Sequence, residues 1–497
     1  MITSQILSTE VQSIASGNDI YNTYKSVWQR LLESYLGGED YRRANNLIRY
    51  QLETNAEYAN RLLNTPLENH CKSIVNTYVS FLFREEPDRD WGSLESLPEL
   101  ELFLEDADYE GRSWDNFMKE VAVWSTVYGH CWVLCVKPNI GAQTRADEVT
   151  VGLRPYVSLL SPLVVLDWQY QRTPIGRYEL TYFKYLEDVN GDVKTIKEWR
   201  PTSITTTMVD ERARKILSQV EEANGLGMIP AVIAYSTRSI VRGIGVSDIQ
   251  DIADAQRMIY NCLSEIDQSV RLDSHPSLVT PTEVQVAGTG AGSLIQLPDN
   301  MDPGLKPYVL DFGGANVQNI LLTIKHLTEV IDKMASTGAI RQTEARTSSG
   351  IAIQTEFELL AARLSEKADQ MELVEEQVFQ IIAQYYELSW DGEIEYPDSF
   401  NIRDEANELT KLEQARRIAT DPKIFAMIDQ RLIDLLEFEE YAVEEEEHAE
   451  TTPEDRPAHI QQMIMDGYTD EEILQIHPEI TEQDILNAKR ALLDLEQ

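Results

Sequence analysis

Basic residues are scarce in this chain. It has 43 lysines and arginines against 84 aspartates and glutamates, a formal net charge of −41. Proteins that hold nucleic acid on their surface do so mainly by neutralising phosphates with lysine and arginine. A balance this acidic therefore argues against an outer surface that binds DNA or RNA. If the protein meets DNA, we expect repulsion.

Cysteines and long apolar runs are scarce as well. Cys71, Cys131, Cys135 and Cys262 are too few for a disulfide framework in 497 residues, and they predict reduced, buried thiols and a cytoplasmic origin. The N-terminal segment lacks the basic and apolar regions of a secretory signal. The most apolar stretch, 123–136, is interrupted by polar residues and falls short of the roughly 18 apolar residues of a membrane span. We expect neither an exported nor a membrane protein.

Catalytic motifs are not recognisable. The glycine-rich segments GIGVSD (243–248) and GTGAGS (288–293) lack the Lys-Ser/Thr pair of a phosphate-binding loop, so ATP hydrolysis is not expected. His130, Cys131 and Cys135 could suggest a metal, but a zinc site needs a second ligand pair, and this spacing is more typical of a buried strand. We predict no cofactor, no metal and no enzymatic activity, with a hydrolase of unrecognised site as a rival.

The apolar pattern changes along the chain. Helical spacing dominates the residues up to 128. From 130 to 235, short runs rich in β-branched and aromatic residues alternate with turn residues, and Asn190-Gly191 is typical of a two-residue hairpin turn with positive φ. Helices followed by an antiparallel sheet predict the α+β class.

Two long helices with narrow apolar seams are predicted next, at 246–273 and 316–337. A single amphipathic helix about 39 Å long cannot bury such a seam alone, so it needs partners. The 274–315 segment between them has five prolines and short strand-like runs, and it is too long for a structureless loop. The seam consists of Ile249, Ile252, Ile259, Leu263, Ile266 and Val270, interrupted by Gln256, and of Ile320, Ile324, Leu327 and Ile331.

In their order these segments resemble a tailed-bacteriophage portal protein, the ring at the capsid vertex through which DNA is packaged and released. The resemblance rests on the succession of YVSFLFREEP, SDIQDIADAQRMIYNCLSEIDQ, the proline-rich insert and TSSGIAIQTEFELLAARLSEKADQ, and on no single motif. It implies a portal-type fold. Its parts are an α/β wing (1–245), stem helix 1 (246–273), a clip (274–315), stem helix 2 (316–337), a tunnel loop (338–350), a kinked helix that returns to the wing (351–400), and a helical crown and tail with an acidic linker (401–497).

The resemblance also implies partners and a place of action. The protein would form a homo-oligomeric ring of about twelve subunits, with the seam buried between neighbours. Double-stranded DNA would pass without sequence-specific binding. Further partners would be the terminase large subunit, a neck adaptor, the major capsid protein and scaffold, in a virion made in the host bacterial cytoplasm. The clip would dock the motor and neck through Val284, Val286, Leu294, Leu297 and Tyr308, and the tunnel loop would face DNA with Arg341, Gln342, Thr343, Glu344, Arg346, Thr347 and Ser348.

Alternatives remain at three points. Arg341 and Arg346 could touch phosphates, or they could pair with Glu344 and the many acids nearby. The C-terminal tail could be the crown or a small appended helical module. The whole chain could instead be an acidic helical scaffold or adaptor that binds protein partners and never meets DNA; a ring with a central channel distinguishes the two functions.

Overall fold

The computed structural model of the protein describes residues 11, 13–138, 152–274, 277–279, 308–310, 315–341, 350–397, 400, 415–417, 485 and 489. The chain divides into two compact units, Met1–Ile402 and Arg403–Gln497. Every helix and strand named below belongs to the first unit. The predicted crown and tail, 401–497, lie almost wholly outside the described residues.

The N-terminal part is helical, as the spacing of its apolar residues predicts. Side chains cap the first turns: Asn18 and Ser113 each accept a hydrogen bond from a backbone N–H of the helix that follows, and Thr54 forms a capping box with Glu57. The helices are α1 (Asp19–Leu36), α2 (Gly38–Arg43), α3 (Asn55–Asn64), α4 (His70–Leu82), α5 (Pro98–Glu105) and α6 (Trp114–Tyr128), with the short strand β1 (Asp88–Asp90) after α4.

The β-rich part forms two main antiparallel sheets, where the sequence indicated one. The first has the order β3-β2-β9 and the second β4-β5-β6-β7-β8. Their strands are β2 (His130–Val136), β3 (Tyr156–Leu160), β4 (Val165–Arg172), β5 (Tyr178–Asn190), β6 (Val193–Trp199), β7 (Ser203–Asp210), β8 (Lys215–Ala223) and β9 (Ala231–Tyr235), followed by the short pair β10 (Thr237–Arg238) and β11 (Gly245–Val246).

The hairpin between β5 and β6 lies where it was predicted, but its turn is shifted by one residue. Asn190 pairs with Val193, so Gly191 and Asp192 form the two-residue connection. Gly191 has φ +62°, whereas Asn190 belongs to the strand. A turn with positive φ at its first central position places glycine there, which explains the shift.

The long helices follow the sheets. Helix α7 begins at Gln250, four residues later than predicted, because residues 245–246 still form a strand. Helix α10 runs through 36 residues, and the strand after it pairs antiparallel with β1. The remaining elements are α7 (Gln250–Ser274), β12 (Ser277–Val279), β13 (Tyr308–Leu310), α8 (Ala315–Ala335), α9 (Gly338–Arg341), α10 (Gly350–Tyr385) and β14 (Glu393–Glu395), with β12 and β13 paired antiparallel.

One large apolar core joins the helices to the three-stranded sheet. Trp28 of α1, Trp114 of α6 and Trp132 of β2 are all at most 2% exposed, and α10 adds Leu364 and Phe379 at 0%. Because helices from both ends of this unit enter the same core, the wing and the bases of the long helices fold together. Among the described helices, none has the length and apolar character that crossing a bilayer requires.

Candidate functional site: the base of the long helices

The predicted apolar seam lies partly inside the chain's own core. Ile249, Ile252, Ile259 and Ile331 are at most 2% exposed, because α7 packs against α1, α4 and α8. The expectation that the seam packs between neighbouring subunits is therefore wrong for these four of its ten residues. Leu263, Ile324 and Leu327 are half-buried against the same core, and Ile266 and Ile320 are also half-buried.

Gln256 does not simply interrupt the seam. Its side chain is fully buried, its Oε1 accepts a hydrogen bond from the backbone N–H of Cys71 (2.9 Å), and its Nε2 donates to the carbonyl of Ser34 (3.1 Å). Cys71 is the second residue of α4, so its N–H has no partner within that helix. Gln256 thus provides hydrogen-bond partners for an N–H in the first turn of α4 and for a carbonyl of α1. These two bonds fix α7 against both helices.

Some apolar side chains of α7 and α8 point away from the core and are exposed. Met258 and Val270 of α7 are 51% and 49% exposed, and Leu321 and Leu322 of α8 are 46% and 64% exposed. Single exposed apolar residues are common, but four on a pair of packed helices are candidates for contact with another chain. We refer to Met258, Val270, Leu321 and Leu322 as the stem apolar face.

The segment before α7 is fixed to the C-terminal end of α6. Gly129 has φ +88°, and a Cβ there would lie 2.6 Å from backbone atoms of Gly245 and Val246. The hydroxyl of Ser247 donates to the carbonyl of Val127 (2.6 Å). This close approach requires glycine, and it sets the point from which α7 extends.

A buried ion pair lies at this junction. Lys367 of α10 has its Nζ 2.6 Å from Oδ2 of Asp248, and the two side chains are 7% and 5% exposed. Ser236 hydrogen-bonds both partners. Asp248 falls within the predicted first long helix, 246–273; in the structure it precedes that helix, and its side chain is buried.

Helix α4 contacts the chain on both sides of residues 342–349. The hydroxyl of Tyr78 donates to the carbonyl of Ala335 (2.6 Å) and accepts from Nη1 of Arg363 (2.8 Å). Arg341 has its Nη1 2.8 Å from Oδ1 of Asp332 and its Nη2 2.9 Å from Nδ1 of His70.

The environment of this cluster shifts its titrating groups. Burial, and secondly the charge of Arg341, lower the pKa of His70 below its usual value. Burial raises the pKa of Asp332, and Arg341 and His70 offset only part of that rise. Burial also raises the pKa of Tyr78 to about 12. At neutral pH, His70 and Tyr78 are therefore uncharged hydrogen-bonding groups.

Of the predicted tunnel-loop residues, only Arg341 is described. Its guanidinium is already paired with Asp332, and its side chain is 16% exposed. This arrangement favours pairing with a nearby acid over contact with phosphates, although the partner is Asp332 and not Glu344. The remaining predicted residues, Gln342, Thr343, Glu344, Arg346, Thr347 and Ser348, lie outside the described residues.

The predicted clip is described only at its two ends. Tyr308 lies in β13, which pairs with β12 from the other end of the segment. Val284, Val286, Leu294 and Leu297 fall outside the part of the chain that the structure describes.

His130, Cys131 and Cys135 lie on β2 and are buried at 0% exposure. Burial lowers the pKa of His130 to about 3 and raises the pKa of both thiols above their usual values. Within the described ranges, no group of three or more His, Cys, Asp or Glu side chains is placed to hold a metal ion.

Sequence reasoning missed the polar residues that join the elements. Asp248, His70, Tyr78 and Arg363 have their partners from 119 to 285 residues away along the chain, so spacing alone does not reveal the pairs. One signal was available: Arg363 and Lys367 lie four residues apart, next to the apolar face of α10. Cationic side chains beside a buried apolar face need partners of opposite charge or hydrogen-bond acceptors, and those partners are then buried as well.

Comparison with known proteins gives the family of the chain. No curated protein matches it. Solved structures to which it is similar include the virion of a native gene transfer agent (GTA) particle, at 10% identity and TM-score 0.41, covering 81% of this chain and 99% of that chain. The neck of an empty GTA particle with C6 symmetry matches at 9% identity and TM-score 0.43, covering 79% and 99%. The neck of a native GTA particle with C12 symmetry matches at 10% identity and TM-score 0.40, covering 80% and 98%.

Residues 21–415 match the family described as phage portal protein, SPP1 Gp6-like. The match runs from α1 through the long helices and past β14, so it includes the whole of the site described above. This chain belongs to the phage portal protein family, SPP1 Gp6-like.

Proposed function

We propose that this chain assembles into the portal ring of a phage-like capsid, and that double-stranded DNA passes through the ring during packaging and ejection. The observation that carries the proposal is the family match over residues 21–415. The role is that of a conduit and docking platform without catalysis, and it acts in the virion.

The stem apolar face supports assembly into a ring. Met258, Val270, Leu321 and Leu322 are about half exposed in the isolated chain, although their helices are otherwise packed against the core. In a closed ring each subunit presents one surface to the neighbour before it and another to the neighbour after it. Contact between neighbouring subunits removes these side chains from water. This face, with the half-buried Ile266 and Ile320, replaces the fully buried isoleucines as the assembly surface that we propose.

The charge of the chain supports a channel that DNA can slide through. A net charge of −41 per subunit gives a ring that repels phosphates on average. Weak repulsion lets DNA move without being held at fixed positions. Because Arg341 is paired with Asp332, Arg346 is the loop arginine that we propose for transient phosphate contact, with the uncharged residues Gln342, Thr343, Thr347 and Ser348 beside it.

The partners follow from the same role. We propose the segment 274–315 as the docking site for the terminase large subunit and for a neck adaptor, and the wing as the surface toward the major capsid protein and scaffold. The strands β12 and β13, near the two ends of this segment, pair antiparallel.

Native mass spectrometry of the purified chain, followed by class averages in the electron microscope, tests the proposal. We expect rings of about twelve subunits with a central hole. A stable dimer, or a compact oligomer without a hole, would contradict the proposal and favour the acidic adaptor. Repeating the measurement over a range of salt concentrations controls for repulsion between the acidic subunits.

A further inference from the structure

The contact between His70 and Arg341 joins the first residue of α4 to the last residue of α9. Nη2 of Arg341 lies 2.9 Å from Nδ1 of His70, and Nη1 lies 2.8 Å from Asp332 near the end of α8. Arg341 thus bridges α4 and α8. Two turns further along α4, the hydroxyl of Tyr78 donates a hydrogen bond to the carbonyl of Ala335 and accepts one from Arg363.

The chemistry of the two side chains fixes the proton on the imidazole. A guanidinium has only donors, so Nδ1 of His70 must accept the hydrogen bond and must be unprotonated. The imidazole proton then lies on Nε2, which is 3.5 Å from a carboxylate oxygen of Glu68. The contact with Arg341 therefore exists only with neutral His70.

We propose that His70 is a proton-operated latch that holds Arg341, and with it helix α9, against α4. Protonation at Nδ1 places an N–H opposite the N–H of Arg341 and adds a second positive charge at hydrogen-bond distance. Arg341 then loses one of its two anchors. The inference goes beyond the portal role, because it concerns contacts within one chain and does not depend on whether DNA passes.

The charged groups around His70 decide the direction of the effect. Arg341 disfavours the imidazolium, whereas Glu68 and Asp332 favour it, and burial together with Arg341 prevails. The folded chain therefore binds this proton less readily than an unfolded chain, whose histidines titrate at about 6.5. The latch is fully closed above that pH and opens as the pH falls through the lower folded value.

Any test has to distinguish protonation of Asp332 from protonation of His70. Burial raises its pKa above the usual range of a carboxyl group, so acid also neutralises the other anchor of Arg341. The variant His70→Asn distinguishes the two groups. The Oδ1 of asparagine occupies the place of Nδ1 and accepts a hydrogen bond from Arg341, but it does not titrate.

Hydrogen exchange of the full-length protein between about pH 8 and about pH 5, corrected for intrinsic rates, is the test. The amides of Thr337 and Arg341 donate to the carbonyls of Asp332 (3.0 Å) and Thr337 (3.1 Å), and they report whether α9 is held. Loss of a charge-assisted hydrogen bond predicts about a tenfold fall in their protection once the pH has fallen through the lowered pKa of His70.

Three variants make the result decisive. His70→Asn is expected to keep protection at low pH, and Arg341→Ala to lack it at every pH. His326→Asn removes an exposed histidine of α8 and is expected to behave like the unchanged protein. A fall in protection that persists in His70→Asn would assign the effect to Asp332 and overturn the proposal. So would unchanged protection in Arg341→Ala.

Discussion

Lys367 lies 2.6 Å from Asp248, which places a cation from the middle of α10 on the residue that stands two positions before α7. Both side chains are at most 7% exposed. Thr126 and Ser236 provide hydroxyls at the same point, and Arg363 lies 3.8 Å from the other carboxylate oxygen. The direction in which α7 leaves the wing is therefore tied to α10 by charge as well as by apolar packing.

Replacing one partner of this pair is expected to destabilise the fold strongly. Lys367→Met keeps the length and the apolar stem of the side chain but leaves a buried carboxylate with only Arg363 as a distant cation. Breaking a buried pair in this way costs about 3 kcal/mol. Urea unfolding followed by tryptophan fluorescence measures the change.

A surface pair provides the matched control. Arg30 and Asp254 lie 2.8 Å apart, and their side chains are 38% and 61% exposed. Asp254→Asn is expected to cost less than about 1 kcal/mol. The double variant Asp248→Asn with Lys367→Met is expected to recover part of the loss. Equal effects of Lys367→Met and Asp254→Asn would contradict the importance of the buried pair.

Gln256 provides a second test, in which sequence pattern and structure predict opposite results. By pattern, Gln256→Leu completes an apolar row and stabilises the helix. By structure, it leaves the N–H of Cys71 and the carbonyl of Ser34 buried without their partner. Leaving these two groups without a partner is expected to lower the free energy of unfolding by about 2–4 kcal/mol. The midpoint of thermal unfolding decides between the two predictions.

Gln250→Leu is the control for this change. Gln250 begins the same helix and is exposed, so the substitution is expected to shift the midpoint very little. If Gln256→Leu were as stable as Gln250→Leu, the hydrogen bonds of Gln256 would contribute nothing.

Much of the fold follows from local patterns in the sequence. The seven-residue spacing of Ile252, Ile259 and Ile266 predicts a long helix because a helix places residues three, four and seven apart on one face. The change to β-branched and aromatic runs at residue 130 predicts strands in the same way. These features depend on neighbours in the chain, so one sequence is sufficient to find them.

The partners of those helices could not be predicted in the same way. A seam shows that a helix must be covered, but it does not show whether the cover comes from the same chain or from another subunit. Ile249 and Ile259 are covered by the chain's own core, whereas Leu322 is not. The pairs Lys367–Asp248 and Arg341–His70 join residues 119 and 271 positions apart, and no local pattern encodes them.

The distinction between buried and exposed apolar residues leads to a prediction about assembly. Ile259→Asp places a charge in the core and is expected to cost about 4 kcal/mol or more, so the chain itself unfolds. Leu322→Asp changes a side chain that is 64% exposed and is expected to leave the fold intact. Light scattering after gel filtration is expected to show folded Leu322→Asp chains that do not form rings.

Leu52→Asp controls for a general effect of added charge. Leu52 is 96% exposed and does not belong to the stem apolar face. This variant is expected to fold and assemble as the unchanged protein does. Intact rings of Leu322→Asp would remove the stem apolar face from the assembly surface.

His130 links the buried core to the dependence of stability on pH. Its Nδ1 accepts a hydrogen bond from the N–H of Gly245 (3.3 Å), its ring lies edge-on to Trp28, and its Nε2 is buried. Burial lowers its pKa to about 3. The folded chain holds this histidine neutral, whereas an unfolded chain protonates it below about pH 6.5. Its contribution to stability is therefore fully present above about pH 6.5 and is lost progressively as the pH falls toward about 3.

Substitution by asparagine isolates this contribution. His130→Asn can still accept from Gly245 through Oδ1, but it has no proton to gain. From about pH 6.5 to about pH 5, the unfolding free energy of the unchanged protein is expected to fall about 1.5 kcal/mol more than that of His130→Asn. His326→Asn, at an exposed histidine, is expected to follow the unchanged protein. Parallel curves for His130→Asn and the unchanged protein would show that His130 is protonated inside the core, and that Nε2 has a partner that stabilises the charge.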